Sequence, residues 1–306
     1  MGEGDPRARP SRVRIVKLAI VIATLGRPDI VAGALPFLRA QTRRPDRIII
    51  SAVSERDVPP PPADLPVEVV FGPKGLPAQR NTGLNTLRAG GEPCDVVIFF
   101  DDDFAPAPYY LEGVAALFES QPQIAGANGE IIADGITGPG YTFADASRFI
   151  AAYMPSDAAS LRPLTGLYGC NMAIRLASAE GLFFDEALPL YAWQEDIDFT
   201  VQLSRRGRLV LSSAFSGVHL GVKSARTPGL PMGYSQIANP IFLRRKRTME
   251  AAHAYKLMAR NVAANLVYSF RPEPWCDRRG RLAGNLRALV DLATGRLHPG
   301  NILKMK

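Results

Sequence analysis

The stretch Asp95-Val96-Val97-Ile98-Phe99-Phe100-Asp101-Asp102-Asp103 sets five consecutive apolar residues directly before three consecutive carboxylates. The apolar run is short and rich in β-branched and aromatic side chains, so it predicts a strand over Asp95 to Phe100, buried on both faces. Three adjacent carboxylates repel one another and oppose folding unless a cation neutralises them. At the carboxyl end of a strand they form a hard oxygen site suited to Mg²⁺ or Mn²⁺. The plainer alternative is a solvated acidic turn.

Working outward, Lys17 to Ala23, Arg47 to Val53 and Val67 to Phe71 predict three further strands. Helices are expected from Pro28 to about Ala40, with a kink at Pro36, from Pro77 to Arg88, and from about Pro108 to Ser120. Strands alternating with helices indicate a doubly wound, mostly parallel α/β sheet, whose ligands bind beyond the strands' carboxyl ends. The acidic triplet falls at such an end. Ala133 to Leu164 is Gly-rich and reads as an irregular loop over the site. The expected organisation is a tail over 1–14, a catalytic domain over 15–227 and a basic, helical C-terminal subdomain over 228–306.

Composition narrows the class. The 306 residues are 47% hydrophobic and 21% charged, as in ordinary globular proteins. The net charge of +7 and pI of about 9.5 favour anionic partners. Arg244, Arg245, Lys246 and Arg247 form a basic run. Cys94, Cys170 and Cys276 are scattered and form no CxxC pair, which argues against a zinc site or a disulfide framework and for a reducing, cytoplasmic compartment. The apolar run Leu18 to Leu25 is too short to cross a bilayer, so a soluble or peripheral protein is expected. Neither GxGxxG nor GxxxxGK[ST] occurs.

Two further clusters carry chemistry. Trp193-Gln194-Glu195-Asp196-Ile197-Asp198-Phe199 enters a helix ending at Gly207. Helical spacing places Asp196 on the inward face with Ile197 and Phe199, and turns Glu195 and Asp198 away from it. A carboxylate facing inward beside a cleft suits a general base, although it can equally cap the helix. His219 follows the strand expected at Leu209 to Ser212 and lies between Gly217 and Gly221. It is the best candidate for a nitrogen ligand among three histidines.

In their order along Lys17 to Gly221, these motifs resemble family 2 of the inverting glycosyltransferases, which have the GT-A nucleotide-sugar fold. Thr24 to Pro28 is similar to the family's Thr-x-x-Arg-Pro turn, and Gln79 to Leu84 to its Ala-Arg-Asn-x-Gly helix. Asp101 to Asp103 resembles its metal motif, Gly169 to Ala173 its Gly-x-Asn strand, Trp193 to Asp196 its Trp-x-Glu-Asp segment, and His219 its late ligand histidine.

The resemblance implies a nucleotide-diphosphate sugar donor and a sugar or lipid-linked sugar acceptor, with Mg²⁺ or Mn²⁺ as cofactor. Asp103 and His219, with Asp101, would hold the cation. Asp101 would also contact the ribose, and Asp102 would support the cluster. Thr24, Arg27, Arg80 and Asn81 would help bind the donor. Asn171, Trp193 and Glu195 would border the acceptor, and Asp196 would be the base. The stretch Ile50 to Asp57 carries no carboxylate at the position of the family's base-recognising Asp after the second strand, and Glu55 and Asp57 are the nearby substitutes.

Two rivals remain at this stage. A nucleotidyltransferase would need a Gly-rich, basic N-terminal loop, of which Thr24 to Arg27 is a poor version. A non-catalytic basic protein would bind anionic membrane through Arg244 to Arg247 and a following helix. That helix would set Tyr255, Met258, Val262 and Leu266 on one face, and His253, Lys256 and Arg260 on another. Nucleic acid is the least expected partner, because aromatic interleaving is absent.

Overall fold

In the computed structural model, residues 15–155, 159–224, 228–271 and 273–305 are described. The tail expected over 1–14 lies outside them. In chain order the strands are Leu18–Ala23 (β1), Arg47–Ala52 (β2), Val67–Phe71 (β3), Val96–Asp101 (β4), Phe104–Pro106 (β5), Ile124–Asp134 (β6), Leu161–Leu164 (β7), Asn171–Arg175 (β8) and Arg208–His219 (β9). The α-helices are Pro28–Arg39 (α1), Leu76–Ala89 (α2), Tyr110–Ser120 (α3), Phe143–Ala152 (α4), Glu195–Leu203 (α5), Gly229–Lys246 (α6), Ala251–Ser269 (α7) and Arg278–Ala293 (α8).

The strands share one sheet in the order β3-β2-β1-β4-β8-β6-β9-β5, with β7 also paired to β9. The first four are parallel; β8, β5 and β7 run against the other six. Alternation along the parallel strands builds a core on each face. Ile20, Ile22, Ile50, Ile98 and Phe100 pack with α1 and α3 residues such as Leu38 and Phe118. Val21, Ile49, Val97 and Phe99 pack on the other side with Leu84 and Leu87 of α2 and Phe199 of α5. Each fully buried side chain of this size contributes about 1.5–3 kcal/mol, so every strand is committed to one register.

Three expectations need correction. The Ala133 to Leu164 stretch contains α4 and β7 instead of a loop. Its helix signal is a capping box, in which the Thr142 hydroxyl accepts from Asp145 N and the Asp145 carboxylate accepts from Thr142 N. The strand expected at Leu209 to Ser212 continues to His219 as β9. On α5 the inward carboxylates are Glu195 and Asp198, both buried, while Asp196 is partly exposed. Helical periodicity could not show that polar neighbours wait inside for both.

The neighbours of Asp198 tie on the C-terminal helices. Asp198 receives Lys246 Nζ at 2.6 Å and Thr248 Oγ1 at 2.6 Å, and Lys246 also bonds Asp185 at 2.6 Å. The basic run leaves Arg244, Arg245 and Arg247 exposed, while Lys246 is half-buried in ion pairs. The run is the last turn of α6, where cations suit the helix dipole, and Lys246 is turned inward. The helices also have their own core of Tyr234, Ile237, Ile241, Met258, Ala288 and Ile302. On α7 the buried face is Ala254, Met258, Asn265 and Ser269, so Tyr255 and Leu266 of the expected apolar face are left exposed. No described helix is long and apolar enough to cross a membrane.

The Asp198 junction yields a stability prediction. Asp198→Ala leaves Lys246 and Thr248 without their buried partner and should lower the unfolding free energy by about 3 kcal/mol, read from urea denaturation. An unchanged midpoint and slope would show that the junction bears no load.

Candidate active site

Register brings the acidic triplet to the histidine. β5 begins immediately after Asp103 and runs antiparallel to β9, pairing Phe104 with His219. β6 lies along the same strand and pairs Asp134 with His219. Asp103 is fixed further by its backbone, whose carbonyl accepts from Leu220 N at 2.9 Å, and by Val222 N, which donates to its Oδ2 at 2.7 Å. His219 Nε2 then stands 3.5 Å from Asp103 Oδ1, and one ligand atom each of Asp101, Asp103 and His219 lies within 4.8 Å of the others.

Two carboxylates and an imidazole form a donor set that fits Mn²⁺ or Mg²⁺, and suits Mn²⁺ better because of the nitrogen. The other ring nitrogen, Nδ1, bonds Asp134 Oδ1 at 2.8 Å and approaches Tyr168 Oη at 3.2 Å. A carboxylate behind a ligand histidine fixes its tautomer and orientation. Burial opposes charge on His219, but the hydrogen bonds to Asp103 and Asp134 outweigh it and push the imidazole's pKa up to about 10. Burial likewise raises Asp103, yet the hydrogen bond and charge of His219 hold it below the ordinary carboxylate value.

The other two aspartates differ. Asp102 is buried, accepting from Thr24 Oγ1 at 2.8 Å and Arg27 Nη1 at 3.0 Å. Burial pushes its pKa up to about 7 against the pull of Arg27, and Asp103 adds to the rise. Thr24 and Arg27 line the cavity but turn these groups toward Asp102; Arg27 also donates to Ser224 O. Asp101 faces the cavity and receives Arg80 Nη2 at 3.0 Å.

Arg80 lies beneath the site. Only 2% exposed, it also donates to Glu195 Oε1 at 2.5 Å and Gly169 O at 3.0 Å, and stands over the rings of Phe99 and Phe184. Burial pushes Glu195 up to about 8, against the charge of Arg80. Asn81 is used up on the Phe184 backbone and Glu186. Arg80, Asn81 and Glu195 are therefore framework beneath the cavity instead of contacts on its surface. Asn171, fully buried against Asn128 and Gly129 O, lines a second cavity of about 530 Å³ beyond Tyr168. Asp57 accepts from Gly26 N, Ser54 N and Ser54 Oγ, which occupies it as a brace, and Glu55 is exposed.

Asp196 accepts from Gly169 N and from Ile197 N, both at 2.8 Å. Burial raises its pKa, and the bond from Gly169 works against that. Gly169 is confined here: a Cβ would meet Arg80 Nη2 at 3.1 Å and Asp196 Cβ at 3.2 Å. Before α5, Leu190, Ala192 and Gln194 all have positive φ, a conformation that costs non-glycine residues of order 1–3 kcal/mol each. Leu190 O accepting from Leu76 N and Trp193 O accepting from Asn239 hold this segment, which sets Tyr191 and Trp193 on the cavity wall.

The cavity is about 720 Å³ and reaches from Asp101, Asp103 and His219 across to the C-terminal helices, where Gln236, Tyr268, Trp275 and Arg278 line it. Sequence reading missed that wall, and missed Asp134 and Tyr168. Asp134 had one available signal, an acid at the end of an apolar-rich segment.

No family model matches the sequence, and no curated protein does. Solved structures do match. Residues 1–349 of S. aureus TarS superpose with a TM-score of 0.53 at 13% identity, covering 92% of this chain and 82% of that one. The longer TarS structure gives 0.50 at 16% identity, covering 83% and 44%. The chain has the GT-A fold. It spans less than half of the longer TarS chain. Likeness at this identity shows the fold alone, and within it the acidic triplet stands where the GT-A sheet presents its strand ends.

The paired imidazole predicts how a cation binds. Because the metal must displace a proton from His219, apparent Mn²⁺ affinity by calorimetry should rise up to about tenfold per pH unit between roughly pH 7 and 9. Asp134→Asn should weaken it by roughly 10–100-fold. A pH-independent affinity, or an Asp134→Asn variant that binds like the parent, would exclude this site.

Proposed function

We propose that the protein is a metal-dependent, inverting glycosyltransferase that moves a sugar from a nucleotide-diphosphate donor to an acceptor hydroxyl. The carrying observation is the convergence of Asp101, Asp103 and His219 at one end of a cavity whose far wall is aromatic and polar. Asp103, His219 and Asp101 would hold Mn²⁺ or Mg²⁺, which supplies charge neutralisation at the donor's diphosphate. Trp193, Tyr191 and the C-terminal wall border the space left for the acceptor, in keeping with the way aromatic rings pack on the apolar faces of sugars.

Asp196 is the base in this reading. Two backbone N–H groups fix its carboxylate and leave lone pairs for a substrate hydroxyl. It takes the hydroxyl proton as that oxygen attacks the anomeric carbon, opposite the departing nucleotide diphosphate. Inversion follows from a single displacement. Glu195 serves by holding Arg80, and through it Asp101. A cytoplasmic site and a lipid-linked acceptor in polysaccharide or glycolipid synthesis complete the proposal.

A panel of nucleotide sugars, screened by thermal shift with Mn²⁺ present, tests the donor class. At least one should raise Tm by several degrees, and Asp103→Ala should remove the metal-dependent part of that shift. Absence of any shift from every nucleotide sugar would overturn the reading. With the donor so found, Asp196→Asn should lower kcat by at least about 10²-fold while sparing donor affinity. Since burial raises the Asp196 pKa, the acid limb of kcat should lie above the ordinary carboxylate value, near 4, with activity rising as pH increases through it. Near-parental turnover in Asp196→Asn would remove the base assignment.

A further inference from the structure

The chain's charge is unevenly placed. Of its 36 Lys and Arg, ten lie in residues 251–306, together with only three of its 29 Asp and Glu. The first 250 residues are balanced, so the whole excess of +7 sits in the last 56. That segment builds α7 and α8, which pack on each other and on α6.

Away from α6, both helices expose apolar side chains at helical spacing. On α7 these include Ala263 and Val267, with Phe270 at the helix end; on α8 they are Leu286, Val290 and Ala293. Val267 is 59% exposed, Phe270 80%, Leu286 56% and Val290 57%. Lys256, Arg260, Arg279 and Arg287 are exposed on the same two helices. Large apolar side chains set among cations, on helices already anchored from behind, match the pattern of a surface that lies in the headgroup region of a bilayer.

We propose that the outer faces of α7 and α8 form a docking surface for anionic membrane lipid. Apolar side chains enter the acyl boundary, and the arginines and lysines meet phosphate headgroups. A second copy of the chain is a poorer occupant, because it would set one strongly basic segment against another. The same two helices line the large cavity through Asn261, Tyr268, Arg278 and Arg281. Docking therefore brings the cavity to acceptors held in the membrane. Lipid binding itself needs no sugar donor, so it stands or falls separately from the transferase reading.

The test is co-sedimentation of the full chain with vesicles of phosphatidylcholine alone, and with about one-third phosphatidylglycerol. The protein should pellet with the anionic vesicles only, and less so at about 0.5 M salt. Val267→Ser with Phe270→Ser, or Leu286→Ser with Val290→Ser, should weaken partitioning by about tenfold each. Both variants should keep the parent's far-UV circular dichroism and Tm, which report an intact fold. Absence of pelleting with anionic vesicles overturns the proposal. So does equal pelleting with both vesicle types, or a concentration-dependent dimer that the same substitutions dissolve. Binding in the folded variants equal to the parent's would overturn the assignment of these faces.

Discussion

A single buried guanidinium organises the site. Arg80 leaves water at a cost of several kcal/mol, so it must find its whole complement of partners inside. It finds Asp101 from the end of β4, Glu195 from the start of α5 and the carbonyl of Gly169 before β8. Those three places are far apart in sequence, and one planar fork of donors brings them together. Phe99 and Phe184, packed edge to face with each other, both lie beside the group and help keep water from competing. Removing any partner would leave a buried charge short of its complement.

Around this fixed point the remaining polar residues fall into two kinds. Asp102, Asp57, Asn81 and Asn171 are saturated by protein donors and acceptors, and they hold loops in place. Asp101, Asp103 and His219 keep atoms directed at common space, the arrangement that the proposed cation would use. The contrast has a physical origin. A brace gains by completing its bonds within the chain, whereas a site must leave some valence for a ligand.

The C-terminal helices contribute twice. Lys246, Thr248 and Asn239 reach back to hold the strained segment around Trp193 and the first turn of α5. The turn between α7 and α8 and the starts of α6 and α8 then close the cavity opposite the acidic triplet. Positive φ at Leu190, Ala192 and Gln194 persists because this packing over-determines it.

Much of this was legible in the sequence. The apolar runs fixed β1 to β4 to within a residue or two, since a fully buried parallel strand has few alternatives. The triplet after Phe100 located the strand ends, and motif order pointed to the fold. What the sequence could not convey was direction. Asp196 and Glu195 are adjacent, and only the position of Arg80 decides that Glu195 turns in. Of the expected donor contacts, Thr24 and Arg27 line the cavity, whereas the hydrogen bonds of Arg80 and Asn81 close within the protein beneath it. Asp134 joins His219 through a strand register that depends on bulges in β6, and pairing across 85 residues has no local signal. Local pattern determines which elements form; the nonlocal satisfaction of buried charge decides which side chains are left to act.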